Sequence, residues 1–179
     1  MANNKTKFTV QQLTRIALMA ALVFASNFLS FPIGDTRIHL GNIFILLAGF
    51  YLGGLHGGLA AGIGAMLFDL FYPGGIYITS APTTFVFRFL MAYTAGAIAH
   101  TSKRAGRNAV CNTIAAIAAS ALYMVLYLSK TYISQALLGA NMAAALGVVV
   151  SKARTSSVNA LLGVLAAVPL SQLPLPFRK

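Results

Sequence analysis

The chain has 179 residues, of which 58% are hydrophobic and only 8% are charged, and its net charge of +11 comes from 13 Lys and Arg against 2 acids. A soluble domain carries about 25% charged residues to solvate its surface, so this composition excludes a soluble globular protein and indicates a polytopic membrane protein. The basic residues stand in short clusters between apolar runs, which is typical of membrane-protein loops and unlike the basic stripe of a nucleic-acid-binding protein.

The apolar runs set the number of helices. A bilayer core about 30 Å thick requires roughly 20 apolar residues for each spanning helix. On this criterion the sequence predicts an all-α integral membrane protein, a six-transmembrane-helix bundle built as a single domain over residues 1–179. The predicted spans cover about 10–31, 38–53, 57–72, 83–100, 108–128 and 155–173, and a glycine-rich turn separates the second from the third.

One apolar segment, residues 136–150, has three interpretations: a seventh short span, an extension of the fifth helix, or a helix packed in a long connection. Six and seven spans both leave eight basic residues on the N-terminal side and four on the other, so either count places the N-terminus in the cytoplasm by the positive-inside rule. As a helix the segment is only about 22 Å long. This favours six spans in a bacterial cell membrane, with both termini cytoplasmic.

The inventory of reactive residues argues against an enzyme. The sequence has no Glu, and its only acids are Asp35 and Asp69. It contains no HExxH, G-x-S-x-G or Walker A motif, so ATP hydrolysis is expected on partner subunits. His39, His56 and His100 are scattered, and we expect neither a metal nor a cofactor.

Small residues recur every four positions in two helices, which places them on one helical face and allows a close approach by another helix. In the first helix they are Ala17, Ala21 and Ala25, and the third span has a similar glycine repeat. Two interpretations remain open: packing between the chain's own helices, or a flat docking face for another subunit.

Polar residues within apolar spans are costly and point to function. Asp69 and Arg88 form either a structural salt bridge or the two sides of a polar ligand site. In the six-span arrangement the polar sets converge on the extracellular side, which predicts a small outward-facing pocket suited to a ring-containing ligand. The candidate substrate-binding residues are Asn27, Arg37, His39, Asp69, Tyr77, Arg88, Tyr123, Tyr127, Lys130, Asn141, Lys152 and Asn159.

Several runs resemble those of a known family. They are RIHLGN at 37–42, LAGFYLGG at 47–54, GGLAAG at 57–62, DLF at 69–71 and TSSVNA at 155–160. These runs look like those of the substrate-binding S components of energy-coupling factor (ECF) vitamin transporters, and the similarity extends over nearly the whole chain. Within that family the sequence is most similar to hydroxymethylpyrimidine, pyridoxine or pantothenate carriers.

The resemblance implies a high-affinity membrane-embedded binding subunit for a water-soluble vitamin or precursor. Such a subunit delivers its ligand to an ATP-driven importer formed by a transmembrane coupling subunit and two cytoplasmic ATPase subunits. It also implies that Ala17, Ala21 and Ala25 form the docking face, and that residues 31–39 act as a lid over the pocket. The alternative is a stand-alone secondary transporter of a small polar metabolite.

The resemblance also bears on the ligand. Thiamin carriers of this family rely on Trp and Glu, and neither residue occurs here. A carboxylate ligand such as pantothenate would need a basic partner, for which Arg37, Arg88, Lys130 and Lys152 are candidates. A neutral pyrimidine or pyridine would be satisfied by Asn and Tyr side chains. We expect the neutral ring, with hydroxymethylpyrimidine or pyridoxine favoured.

Overall fold

The computed structural model describes residues 9–33, 36–101 and 106–173. The described residues form six α-helices, a two-stranded antiparallel hairpin and a short 3-10 turn at Ile78–Ser80. The bounds are α1 Val10–Phe28, β1 Ser30–Ile33, β2 Thr36–His39, α2 Gly41–Leu52, α3 Gly54–Phe71, α4 Ala81–Ala99, α5 Ala109–Leu137 and α6 Met142–Leu170. The predicted all-α bundle of six helices is confirmed. The hairpin was not predicted.

Successive helices run in alternating directions because short connections join them. The β1–β2 hairpin, the 3-10 turn and the α5–α6 connection therefore lie together at one end of the bundle, which we call the hairpin end. The α2–α3 turn and the α4–α5 connection lie at the opposite end.

Helix α2 is the centre of the bundle. Nine of its twelve residues are buried, on all sides of the helix, and α1, α3, α4 and α6 pack around it. Its turn into α3 consists of Gly53 alone, at φ 79°, a backbone conformation that favours glycine. The third helix therefore begins at Gly54, three residues before the predicted start at 57.

The glycine repeat of α3 serves internal packing. A methyl group added at Gly54, Gly58 or Gly62 would meet the rings of Tyr93, Phe89 and Phe85, respectively, at 2.9–3.3 Å. These rings lie one helical turn apart on α4 and stack on one another. Because these three α3 residues are glycines, the three aromatic rings of α4 can pack directly against the α3 backbone.

The alanine repeat of α1 has the opposite environment. Ala17, Ala21 and Ala25 are exposed, while the buried face of the helix carries Ile16 and Val23, together with Met19, Ala20, Ser26 and Asn27. The chain's own helices therefore do not cover the alanine face.

Residues 136–150 do not form a separate helix. Their first two residues complete α5, and α6 begins at Met142 after a short connection that contains Gly139 at φ 80°. Helices α5 and α6 are each 29 residues long, so the predicted spans 108–128 and 155–173 stopped short at the hairpin end. Polar residues lower the hydropathy of the sequence there, and several of them, such as Lys130, Thr131 and Lys152, line a cavity inside the bundle.

Three of the described helices are long and apolar enough to cross a membrane: Gly54–Phe71, Ala109–Leu137 and Met142–Leu170. Helix α2 is apolar but shorter. Large apolar side chains on α5 and α6, such as Ile117, Val125, Leu161 and Leu165, are exposed on the outside of the bundle. Lipid is the environment in which such a surface is stable.

Candidate ligand-binding site

A cavity of about 370 Å³ opens at the hairpin end, and all six helices, the hairpin and the 3-10 turn contribute to its wall. The wall includes eleven of the twelve candidate residues from the sequence: Asn27, Arg37, His39, Asp69, Tyr77, Arg88, Tyr123, Tyr127, Lys130, Lys152 and Asn159. The fold therefore brings together side chains that lie up to 132 positions apart in the sequence. Their role in ligand binding remains a prediction.

Asn141 does not line this cavity. It caps the N-terminus of α6, where its side-chain oxygen accepts a hydrogen bond of 2.8 Å from the backbone N–H of Ala144. Asparagine at a helix N-cap satisfies an otherwise unpaired backbone donor. The sequence interpretation of Asn141 as a pocket residue overlooked this local role.

The charge of Arg88 is buried in the cavity wall. The side chain is 6% exposed, and its Nη1 donates a hydrogen bond of 2.6 Å to Oδ1 of Asn42 on α2. Within the described part of the chain it forms no ion pair with Asp69, which interacts with the side chain of Thr84. The two charged residues thus line one cavity without forming the structural salt bridge that the sequence left open.

Two tyrosines on α5 form an aromatic wall. Tyr123 and Tyr127 lie one turn apart and stack at 5.8 Å between ring centroids, with 10° between ring planes. The guanidinium carbon of Arg88 lies 3.9 Å from the Tyr123 centroid, and Nζ of Lys152 lies 5.6 Å from that of Tyr127. Both cations lie within the range of a cation–π interaction.

The hairpin is bonded to α6 over the cavity. Asn159 accepts a hydrogen bond of 3.0 Å from the backbone N–H of His39 and donates one of 2.9 Å to the carbonyl oxygen of Arg37. The Arg37 guanidinium lies 4.2 Å from the ring centroid of Tyr72 and 5.1 Å from that of Tyr77. Residues 34 and 35 of the predicted lid, including Asp35, lie outside the described residues.

The second loop at this end is bonded to α5. Nζ of Lys130 donates hydrogen bonds to Oγ1 of Thr83 at 2.7 Å and to Oγ of Ser80 at 3.2 Å. Each of the two long helices, α5 and α6, therefore holds one loop over the cavity.

His39 lies on the hairpin, outside the helices, and its ring is neutral at physiological pH. Burial and, to a smaller extent, the nearby charges of Arg88 and Arg37 together lower its pKa from 6.5 to about 3. Its Nδ1 is buried and has no hydrogen-bond partner among the described residues. A histidine in this state adds no charge to the cavity.

The cavity wall also contains residues that the candidate set omitted: Ser30, Asn42, Ala65, Phe68, Ser80, Thr84, Phe87, Thr131, Ser134, Gln135, Thr155 and Ser156. The sequence could have indicated Asn42, because it is a polar residue in the first turn of an otherwise apolar helix; in the structure it is buried. For the hydroxyl residues, no sequence signal distinguishes the cavity side from the lipid side.

Across the described residues, no group of three His, Cys, Asp or Glu side chains could hold a metal ion.

The sequence model of one protein family, described as "ECF-type riboflavin transporter, S component", matches residues 7–173. The chain belongs to this family. S components are the substrate-binding subunits of vitamin transporters and are not enzymes, since partner subunits hydrolyse ATP. They work in the cell membrane with the transmembrane and ATPase subunits of the ECF complex.

Solved S components share this fold. One, described as the S component of a bacterial ECF transporter, is 19% identical, with a TM-score of 0.67 over 89% of this chain and 92% of its own. Another, the S-component for biotin from an ECF-type ABC transporter, is 20% identical, with a TM-score of 0.58 over 97% and 96%. A sequence search of curated proteins finds no match.

Proposed function

We propose that this S component captures a small ring-containing vitamin or vitamin precursor, of the size of hydroxymethylpyrimidine or pyridoxine, in the cavity at the hairpin end. The observation that carries the proposal is the cavity wall, in which polar side chains from all six helices surround a stacked pair of tyrosines. Binding pockets for small molecules combine aromatic surface with a few fixed polar groups in this way.

The size of the cavity favours a single ring. Its volume of about 370 Å³ is at the lower end of the roughly 300–1,000 Å³ found for ligand pockets. Riboflavin, which the family description names, has three fused rings and a ribityl chain, and would require more of this volume than a pyridine or pyrimidine. The stacked face of Tyr123 and Tyr127 suits one aromatic ring.

We place the hairpin end outside the cell and both termini in the cytoplasm, with six membrane passes. Lys and Arg resist translocation, and a six-span order of the sequence assigns eight basic residues to the side of the N-terminus and four to the other side. Of the four basic residues in the hairpin-end segments, Arg37, Lys130 and Lys152 line the cavity. Their position there is explained by a ligand rather than by membrane topology.

We further propose that Ala17, Ala21 and Ala25 form the contact with the transmembrane coupling subunit. Their exposure leaves a flat strip of small side chains along α1. Such strips allow two helices to approach closely in a membrane. The cavity and this strip are separate surfaces, so ligand capture and subunit docking can be tested independently.

Uptake tests the delivery step. Cells that express the chain with the transmembrane and ATPase subunits should accumulate the vitamin, and an ATPase-inactive variant of the partner should abolish accumulation. Equal uptake by the chain alone would instead favour a stand-alone secondary transporter. Ligand binding by the chain without uptake in either case would contradict the delivery role and leave the binding role standing.

A further inference from the structure

The cavity contains more positive charge than the sequence can neutralise. Arg37, Arg88, Lys130 and Lys152 line it, whereas the sequence contains only two acidic side chains, Asp35 and Asp69. Even if both acids were paired within the cavity, two of the four cations would have no carboxylate partner in the chain. Uncompensated charge inside a membrane protein is costly and marks a functional site.

Arg88 is the most deeply placed of these cations. It is 6% exposed, and within the described part of the chain it contacts the neutral amide of Asn42, the sulfur of Met91 and the face of Tyr123. A guanidinium has five N–H donors, so these contacts leave donors for another group. A tyrosine face attracts the cation but supplies no counter-charge.

Three of the cations are also close to one another. Arg88 and Lys152 lie against neighbouring rings of the Tyr123–Tyr127 stack, and Lys130 interacts electrostatically with both Asp69 and Lys152. Like charges in one cavity repel each other, and a bound anion removes that repulsion. Among the described residues, Asp69 is the only acidic side chain, and it can offset the charge of one of the four cations.

Three asparagines of the cavity wall use side-chain polar atoms for hydrogen bonds within the protein. Both polar atoms of the Asn159 side chain are bonded to the hairpin. Nδ2 of Asn27 donates to the carbonyl oxygen of Val23 at 2.7 Å, and Oδ1 of Asn42 accepts from Arg88. These asparagines therefore offer a ligand fewer hydrogen-bonding groups than the sequence suggests, and the neutral groups beside the cations are Gln135 and hydroxyls. The excess of positive charge then favours an anionic ligand over the neutral ligand expected from the sequence.

We infer that the ligand of this site carries an anionic group, a carboxylate or a phosphate, held between Arg88 on α4 and Lys152 on α6 beside the Tyr123–Tyr127 stack. The inference rests on the proposed function, since it names the chemical class of the vitamin that the cavity captures. The anion neutralises the buried guanidinium, and the ring of the same molecule packs against the tyrosines.

Matched vitamin pairs test this directly. The full chain, purified in detergent, is titrated by calorimetry with nicotinate and nicotinamide, and with pyridoxal 5′-phosphate and pyridoxal. The first pair reports on a carboxylate and the second on a phosphate, and every compound contains a pyridine ring. We expect at least one anionic member to bind about tenfold or more tighter than its neutral partner, as expected when a desolvated cation loses its counter-charge.

Two variants assign the preference to the cavity. Lys152→Gln should reduce the anionic-to-neutral affinity ratio severalfold. Arg154→Gln removes the same charge from the same helix at an exposed position that does not line the cavity, and it should leave the ratio unchanged. Thermal unfolding confirms that both variants are folded.

The outcomes separate the two claims. Neutral members that bind as tightly as their anionic partners, or an equal loss of preference in the two variants, would overturn the inference and leave the proposed function intact. A folded chain that binds no member of any pair, nor any other vitamin, would overturn both.

Discussion

Arg88 donates a hydrogen bond of 2.6 Å to Asn42, an uncharged partner, and so keeps its positive charge within the cavity wall. The contact joins α4 to the central helix α2 and fixes the direction of the guanidinium. A carboxylate at position 42 would fill the same space and neutralise the charge.

The substitution Asn42→Asp should therefore affect thermal stability and ligand affinity in opposite ways. An ion pair in place of the neutral contact should leave the melting temperature unchanged or raise it, because the buried guanidinium gains a counter-charge. Ligand affinity should fall about tenfold or more, since hydrogen bonds to charged groups contribute roughly 1.5–3 kcal/mol. Calorimetry and thermal unfolding measure the two effects.

Asn141→Asp is the matched control. It makes the same chemical change at the same end of the bundle, outside the cavity, at an N-cap where Asp and Asn are nearly equivalent. Its ligand affinity should equal that of the unmodified chain. Unchanged affinity in Asn42→Asp would mean that the Arg88 charge does not contact the ligand.

Asn159→Ala should release the hairpin from α6. The substitution removes the hydrogen bonds to His39 and Arg37, each worth about 0.5–1.5 kcal/mol. If the hairpin covers the bound ligand, the dissociation rate should rise about tenfold, since a loss of about 1.4 kcal/mol is a tenfold change, while the association rate changes less. Stopped-flow measurements of release check this. Ser157→Ala, whose hydroxyl bonds only within α6 at the carbonyl oxygen of Ala153, should release ligand at the original rate, and equal rates in both variants would show that the hairpin is not a lid.

Much of this architecture can be predicted from the sequence because a membrane protein must expose apolar side chains to lipid and bury its polar ones. A polar side chain within an apolar run needs an interior partner, which singled out Asn27, Asp69 and Arg88. The other candidates came from polar loops and helix ends expected on the same side of the membrane, and eleven of the twelve line one cavity wall. Hydropathy likewise identified six helices. It failed at the hairpin ends of α5 and α6, where residues such as Lys130 and Lys152 are polar in sequence but face inward.

Other features required tertiary structure. The sequence offers no feature that distinguishes the roles of Asn141 and Asn159. In the structure Asn141 caps α6, whereas Asn159 forms hydrogen bonds with the hairpin. The neutral-ring expectation arose from counting Asn and Tyr side chains as ligand contacts. Only the fold reveals that Asn27, Asn42 and Asn159 bond mainly within the protein.

The alanine strip of α1 predicts a second separation of functions. Ala21→Trp should abolish co-purification with the transmembrane and ATPase subunits and abolish uptake, because a large side chain prevents close helix approach. Vitamin binding by the isolated variant should be unchanged, since Ala21 does not line the cavity.

Leu22→Trp provides the comparison on the same helix. Leu22 is exposed, at 48%, and is already large, so the substitution adds bulk beside the strip and not on it. This variant should retain complex assembly. A complex that still forms with Ala21→Trp would exclude the strip as the docking face.

His39 predicts an acid-dependent loss of stability. Its folded-state pKa of about 3 lies below the unfolded value of 6.5 because of burial and the two neighbouring arginines, so the unfolded chain binds more protons between these values. The contribution of neutral His39 to the free energy of unfolding is fully present above pH 6.5. It is lost as the pH falls towards 3, by at most about 1.4 kcal/mol per pH unit. Melting temperatures between pH 4 and 8 should fall on acidification, and less steeply in His39→Gln. Identical slopes would assign the acid sensitivity to other groups.

Ligand binding by the chain alone tests the central claim most directly. The purified chain, in detergent and without partner subunits, is titrated by calorimetry with pyridoxine, hydroxymethylpyrimidine, pantothenate, riboflavin and thiamin, and with the anionic forms of the ring vitamins. We predict one-to-one binding of a small ring-containing vitamin, weakened by Asn42→Asp and unaffected by Asn141→Asp. A well-folded chain that binds none of these compounds would contradict the assignment of the cavity as a vitamin site.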